Sequence, residues 1–181
     1  MTMKRLILLR HAKAVSGGAT LQDFDRPLAS EGLQDAEALG GFIRAQSYAI
    51  DHAICSPALR TKQTLDALGL PQNLPVKYVE PLYEAMAGQI LEMIQETEQN
   101  AQFLIVICHN PGLHELAIRL CTEDSPLSLL KRLMSSYRPG AMSVFDCPIE
   151  SWSDLELGKN SLTDFQEPID YNAPSRPTRW M

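Results

Sequence analysis

The sequence predicts an α/β fold in three layers, α/β/α, with a mostly parallel central sheet. Two observations carry this. Short apolar runs alternate with amphipathic stretches along the chain, which is how strands joined by helical crossovers read. The run Phe103 to Cys108 (FLIVIC) is apolar throughout and rich in β-branched residues. Strands covered by helices on both faces have that composition. A chain of 181 residues suits a single domain over 1–181, and no stretch reads as a linker.

The elements follow in order. Leu6 to Leu9 (LILL) is the first strand. From Ser30 the period lengthens, and Leu33, Ala36, Leu39, Phe42 and Ile43 fall on one helical face, with Ser30 as N-cap. Asp51 to Cys55 is a second strand. Ser56 and Pro57 read as N-cap and first helical residue of a helix over Ala58 to Leu68, stopped by Gly69. Val76 to Val79 is a third strand, and Ile90 to Ile94 lies in a third helix. After Phe103 to Cys108 comes a second cap-and-proline turn, His109-Asn110-Pro111. Leu113, Leu116, Ala117 and Leu120 then mark a helix. Beyond Arg138-Pro139-Gly140 the period shortens, and Ala141 to Phe145, Trp152 to Leu157 and Ser161 to Phe165 predict edge strands. The stretch from about Glu167 to Met181 holds three prolines and reads as an extended tail.

Composition narrows the function. Hydrophobic residues make up 45% and charged residues 21%, enough for a core and too apolar for a wholly disordered chain. Acidic side chains outnumber basic ones by 22 to 16, a net charge of −6. That excludes general nucleic-acid binding, which needs a basic footprint, and an anionic membrane surface as partner. The opening MTMKRLILLRHAKA resembles a leader only in outline: its apolar run is Leu6 to Leu9, shorter than the about 7–15 residues such a segment needs. No apolar run approaches the ~18 residues of a membrane span. Cys55, Cys108, Cys121 and Cys147 form no C-x-x-C pair. They read as free thiols in a reducing cytoplasm.

In open α/β sheets, ligands sit beyond the carboxyl ends of the strands. Arg10 and His11 follow the first strand, Ser56 to Arg60 the second, and His109 to Gly112 the strand Phe103 to Cys108. Two arginines and two histidines thus converge on one sheet edge. Arg60, in a first helical turn, opposes the helix dipole, which suggests a task other than stabilising its helix. Helix N-termini favour anions, and the arginine fork fits phosphate oxygens. The prediction is a phosphate-sized anion site containing two imidazoles. No metal is expected there: zinc takes three or four ligands, and the arginines would repel a cation. His52, beside Asp51, and His114, on a helix, read as structural or rim residues.

The stretches around these residues carry a resemblance. Leu8-Leu9-Arg10-His11-Ala12 resembles the R-H-G signature of the histidine phosphatase (phosphoglycerate mutase-like) superfamily, with alanine in place of the glycine. Cys55-Ser56-Pro57-Ala58-Leu59-Arg60-Thr61 resembles its S-P-x-x-R-T motif, and His109-Asn110-Pro111-Gly112 its second-histidine turn. R-H-A-K-A, Asp25-Arg26-Pro27-Leu28 and Leu82-Tyr83-Glu84-Ala85 resemble the SixA-type phosphohistidine phosphatase branch most. The likeness runs over about residues 4–165.

The resemblance implies a phosphoglycerate mutase-like fold and a hydrolase that needs no cofactor. His11 would attack phosphorus and carry the phosphoryl group. Arg10, Arg60 and His109 would hold its oxygens, and water would then release it. Glu84, four residues before Gly88, resembles the family's E-x-x-x-G acid position. Its alternative role is a carboxylate at a helix start. Arg26 is expected to reach the phosphate or the partner's surface, or else to form a surface ion pair, and Lys13 to lie on the rim. The implied substrate is phosphohistidine on a protein of phosphotransfer or phosphorelay type. The alternatives are a small phosphorylated molecule on the same fold, or a phosphate-binding module without catalysis.

Overall fold

A computed structural model describes residues 3–174. Its strands are β1 (Lys4–Arg10), β2 (His52–Cys55), β3 (Val76–Tyr78), β4 (Phe103–Cys108), β5 (Met142–Cys147) and β6 (Ser161–Gln166). The helices are α1 (Ser30–Ala45), α2 (Leu59–Ala67), α3 (Ala87–Gln95), α4 (Gly112–Leu120) and α5 (Leu127–Ser135). The sheet order is β3-β2-β4-β1-β5-β6. The first four of these run parallel, and β5 lies antiparallel to β1 and to β6.

Alternation within each strand builds the three layers. On β1, Leu6 and Leu8 join the apolar cluster formed with α3, α4 and α5. Ile7 and Leu9 join the opposite cluster, formed with α1 and α2. On β4, Leu104 and Val106 divide from Ile105 and Ile107 in the same way. This is the period of two that a pleated strand imposes. Every residue of Leu6 to Leu9 and of Leu104 to Cys108 is fully buried. The amino-terminal run is therefore a central strand, locked between β4 and β5.

Several boundaries differ from expectation. Ser30 is the first residue of α1 and Ala29 its cap, without a side-chain bond. Ala58, not Ser56, is the cap residue of α2; the Ser56 hydroxyl accepts from Ala58 N–H at 3.4 Å just ahead of the helix and also meets His109 at the sheet edge. Gly69 does stop α2, at φ +61°, where a Cβ would be strained. The predicted strand over Trp152 to Leu157 is a 3-10 turn at Trp152–Asp154, capped by the Ser151 side chain. Of the three predicted edge strands, only β6 lies at an edge, since β5 is paired on both sides. Helix α5 had no counterpart in the sequence reading. The predicted tail from Glu167 turns back through Pro174. Tyr171 is buried there, and its hydroxyl donates to the Gly140 carbonyl at 2.9 Å. The rest of that predicted tail, 175–181, lies outside the described residues.

One close approach shapes the pocket. A Cβ built on Gly112 would sit 2.1 Å from the Ala85 carbonyl oxygen. The backbone after Glu84 is thus pressed onto the start of α4, and only glycine leaves it room. Gly88, in α3, has nothing within 4 Å of such a Cβ. Gly112→Ala is expected to cost about 1–3 kcal/mol and Gly88→Ala to be neutral or mildly stabilising, read as thermal midpoints of the two variants. Equal midpoints would contradict the contact.

Candidate active site

Strand register brings the site together. Arg10 stands opposite Cys108 on β4, and Cys55 opposite Ile107. The parallel strands therefore end almost level. The ladder continues one residue further: His11 N–H donates to the Cys108 carbonyl at 3.3 Å, and Ser56 N–H to the Ile107 carbonyl at 3.0 Å. His11, Ser56 and His109 emerge side by side. Two further contacts hold the chain after β1. Thr64 on α2 accepts from Ala12 N–H at 3.0 Å, and Gly140 N–H donates to the carbonyls of Arg10 and His11 at 3.2 and 3.0 Å. Ala12, which stands where the motif has glycine, is fully buried and takes no positive φ.

A cavity of ≈ 460 Å³ opens at this edge. Arg10, His11, Arg26, Arg60, Glu84 and His109 all line it, together with Asp23 and Tyr83. The residues expected at the site are thus brought together. The His11 and His109 rings lie 5.2 Å apart. His11 Nδ1 faces the Ala12 carbonyl at 2.7 Å. A carbonyl only accepts, so Nδ1 carries the proton and Nε2 keeps its lone pair. Arg60 Nε–H donates to that Nε2 at 3.3 Å. His109 Nε2 meets the Ser56 hydroxyl at 2.8 Å, and its Nδ1 is buried without a partner among the described residues.

Both imidazoles are held neutral. Burial, followed by Arg60, Arg10 and Arg26, lowers the His11 pKa to about 4, against the opposing pull of the Ala12 carbonyl. Burial, then His11 and Arg60, lowers that of His109 to about 3. Charging either ring would place a cation in a partly dry pocket beside arginines. Arg10 itself is lowered by burial and by Arg60. Its Nη1 donates to the Tyr137 carbonyl at 2.9 Å, which also accepts from the Asn110 amide at 2.9 Å, and its Nε is buried without a partner among the described residues.

The carboxylates divide. Glu84 ends a 3-10 turn over Glu80–Glu84, and α3 begins only at Ala87, capped by Met86. The helix-start role therefore falls away, and Glu84 stands exposed at the mouth of the cavity. Asp23, absent from the sequence reading, contacts Arg60, Arg26 and Tyr83 at once. The Tyr83 hydroxyl and the two arginines lower its pKa to about 2. Arg26 makes that ion pair and also donates to the Val15 carbonyl at 2.8 Å. Lys13 lies outside, paired with Glu31. His52 pairs with Asp51, and His114 meets the Leu133 carbonyl, so neither joins the site. Among the described residues, no group of three or more His, Cys, Asp or Glu is placed to hold a metal.

Neutral imidazoles beside paired guanidiniums, at the carboxyl edge of a parallel sheet, define a phosphate-handling α/β protein. The family model described as "Histidine phosphatase superfamily (branch 1)" matches residues 6–135. The chain belongs to that superfamily. It is 33% identical over 161 residues to the uncharacterized protein Rv1276c of Mycobacterium tuberculosis (strain H37Rv), covering 88% of this chain and 99% of that one. It is 28% identical over 127 residues to the phosphohistidine phosphatase SixA of Escherichia coli (strain K12), covering 67% of this chain and 77% of that one. The structure named "Putative Phosphohistidine Phosphatase SixA" from Nakamurella multipartitia superposes with a TM-score of 0.81 at 29% identity. It covers 92% of this chain and 97% of that one. These matches support a phosphatase, a hydrolase of the phosphoglycerate mutase-like fold.

The lowered histidine pKa values have a measurable consequence. Below the ordinary value of 6.5, the unfolded chain takes up protons that the folded pocket refuses until about pH 4 at His11 and about pH 3 at His109. Stability from these neutral rings is present above 6.5 and is lost as pH falls toward 4. The thermal midpoint of the wild type should fall more between about pH 7 and about pH 4.5 than that of a His11→Asn, His109→Asn double variant. Parallel profiles would contradict the assignment.

Proposed function

We propose that this chain is a metal-independent phosphohistidine phosphatase acting through a phosphorylated His11. The observation that carries this reading is the His11 ring itself. Its Nδ1–H is committed to the Ala12 carbonyl, and its unprotonated Nε2 accepts from Arg60 Nε–H, both residues lining the cavity. An imidazole without a proton on the outward nitrogen is a ready nucleophile near neutral pH.

The chemistry divides into two displacements. His11 Nε2 bonds to phosphorus as the bond from phosphorus to the substrate's imidazole nitrogen breaks. The electron pair leaves with that nitrogen, which takes a proton from solvent water. Water then attacks phosphorus and gives up a proton to solvent as the bond from phosphorus to His11 Nε2 breaks, releasing inorganic phosphate, and the electron pair returns to His11. Arg10, Arg60 and His109 hold the phosphoryl oxygens, and Arg26 adds positive charge at the rim. Phosphoryl transfer depends mainly on such positioning and charge stabilisation.

The leaving group supports the substrate class. Asp23 holds no proton to give, because its carboxylate is kept ionised by its three neighbours. Glu84 stands at the exposed mouth, where solvent competes with it. A pocket with so little proton-donating equipment suits an imidazole, which departs more easily than an alkoxide. The substrate is accordingly phosphohistidine on a protein that reaches the cavity from outside. Among the described residues no helix is long and apolar enough to cross a membrane. The four cysteines are free, which fits work in the cytoplasm.

The test offers a phosphohistidine protein, 3-phosphoglycerate and an aryl phosphate to wild type, His11→Ala and Glu84→Gln. The expected order for the wild type is phosphohistidine first. His11→Ala should lose about a thousandfold or more of kcat/KM. Glu84→Gln should lose less than about threefold on phosphohistidine. Phosphohistidine hydrolysis that survives His11→Ala would sink the mechanism. A large Glu84→Gln loss confined to the alkyl phosphate would assign Glu84 as an acid and favour a small-molecule substrate.

A further inference from the structure

Three segments far apart in the chain meet on one carboxylate at the rim of the cavity. Arg60, on α2, donates from Nη1 to the Asp23 carbonyl at 2.6 Å and from Nη2 to Asp23 Oδ2 at 3.1 Å. Arg26 lies against Asp23 Oδ1, with Nε at 2.9 Å and Nη2 at 2.8 Å. The Tyr83 hydroxyl donates to Asp23 Oδ2. The Tyr83 ring in turn stands edge-on to His109 at 5.5 Å and edge-on to Phe24 at 5.0 Å.

We infer that Asp23 is a positioning residue, which aims Arg60 at the phosphoryl group from the rim of the pocket and braces the tyrosine wall against His109. The inference rests on the reading of His11 as nucleophile. Its geometric basis is the planarity of the guanidinium. When the two outer nitrogens are fixed on Asp23, the direction of Nε–H is fixed as well. That Nε–H points at His11 Nε2 at 3.3 Å, the atom to which phosphorus would bond. Charge gives the second reason. Arg10, Arg26 and Arg60 share one small cavity and repel one another while no phosphate is bound. An anion at the rim holds two of them in place before the substrate's anion arrives.

This role differs from that of a proton donor. Both carboxylate oxygens of Asp23 already accept from neighbours, so it has neither a proton nor a free direction toward a leaving group. The loss on removing it should therefore be blind to leaving-group quality and should depend on Arg60.

The experiment measures kcat/KM for p-nitrophenyl phosphate and phenyl phosphate with wild type, Asp23→Ala, Arg60→Lys and the double variant. Asp23→Asn, a near-isostere, replaces Asp23→Ala if the latter fails to fold, and thermal midpoints check each protein. Asp23→Ala should lose roughly ten- to a hundredfold on both substrates alike. In the Arg60→Lys background, where no fork remains to be aimed, the same change should cost less than about threefold. Equal losses in both backgrounds, or a loss confined to phenyl phosphate, would overturn the inference. The binding of inorganic phosphate to the same four proteins, followed by calorimetry, should show the same coupling. That readout does not involve His11 as nucleophile. Coupled binding with an active His11→Ala would retire the mechanism and leave Asp23 as the organiser of an anion site.

Discussion

The register of three parallel strands is the constraint on which the rest of this structure depends. Arg10 lies opposite Cys108, and Cys55 opposite Ile107. The strands are apolar on both faces, so a slip of one residue would turn buried side chains from one core to the other. The two clusters on either side of the sheet forbid that slip. The level ending that results makes neighbours of residues nearly a hundred positions apart. His11 and His109 come within 5.2 Å of one another because β1 and β4 are adjacent, with no contribution from local sequence. The Gly140 and Thr64 contacts to the chain after β1 then keep the backbone that carries His11 from drifting.

The second physical theme is a conflict between charge and burial that the pocket uses. Three arginines concentrate positive charge on a chain whose net charge is −6. Burial and those arginines act in the same direction on the two histidines, and both stay uncharged. The opposing contact, from the Ala12 carbonyl to His11 Nδ1, is too weak to protonate the ring and instead selects its tautomer. One set of cations thus serves two ends: it draws in an anion and keeps the ring beside it nucleophilic. Tyr137 supports this arrangement from below. Its carbonyl joins Arg10 to Asn110, and its buried hydroxyl donates to the Leu8 carbonyl at 2.6 Å.

Legibility followed locality. Arg10, His11, Arg60 and His109 could be read from the sequence because each ends or directly follows a strand or opens the next helix, and strand ends in α/β sheets collect ligands. Asp23 could not. It lies 37 positions from Arg60 and 60 from Tyr83, in a three-residue 3-10 turn, Asp23–Asp25, too short to show a period, where an aspartate reads as surface charge. Ser-Pro is a local cap signal, and the Ser56 hydroxyl does accept from Ala58 N–H, but its second, tertiary partner, His109, is invisible in the local sequence. Trp152 favours a strand by type, yet the Ser151 side chain stabilises a turn. Helix α5 has a weak apolar signature, because Leu133 is its only fully buried residue. The spacing of Leu129, Leu130 and Leu133 was the available signal. The prolines after Glu167 signal extended chain and do not reveal that Tyr171 docks on Gly140.

The central claim is that the neutral Nε2 of His11 takes the phosphoryl group. A rapid-quench experiment with a radiolabelled phosphohistidine protein tests it most directly. The account predicts an acid-labile, alkali-stable label on the wild type that maps to the peptide containing His11 and disappears as phosphate is released. A label on His109, or phosphate release at full rate with no labelled enzyme at any time, would contradict it.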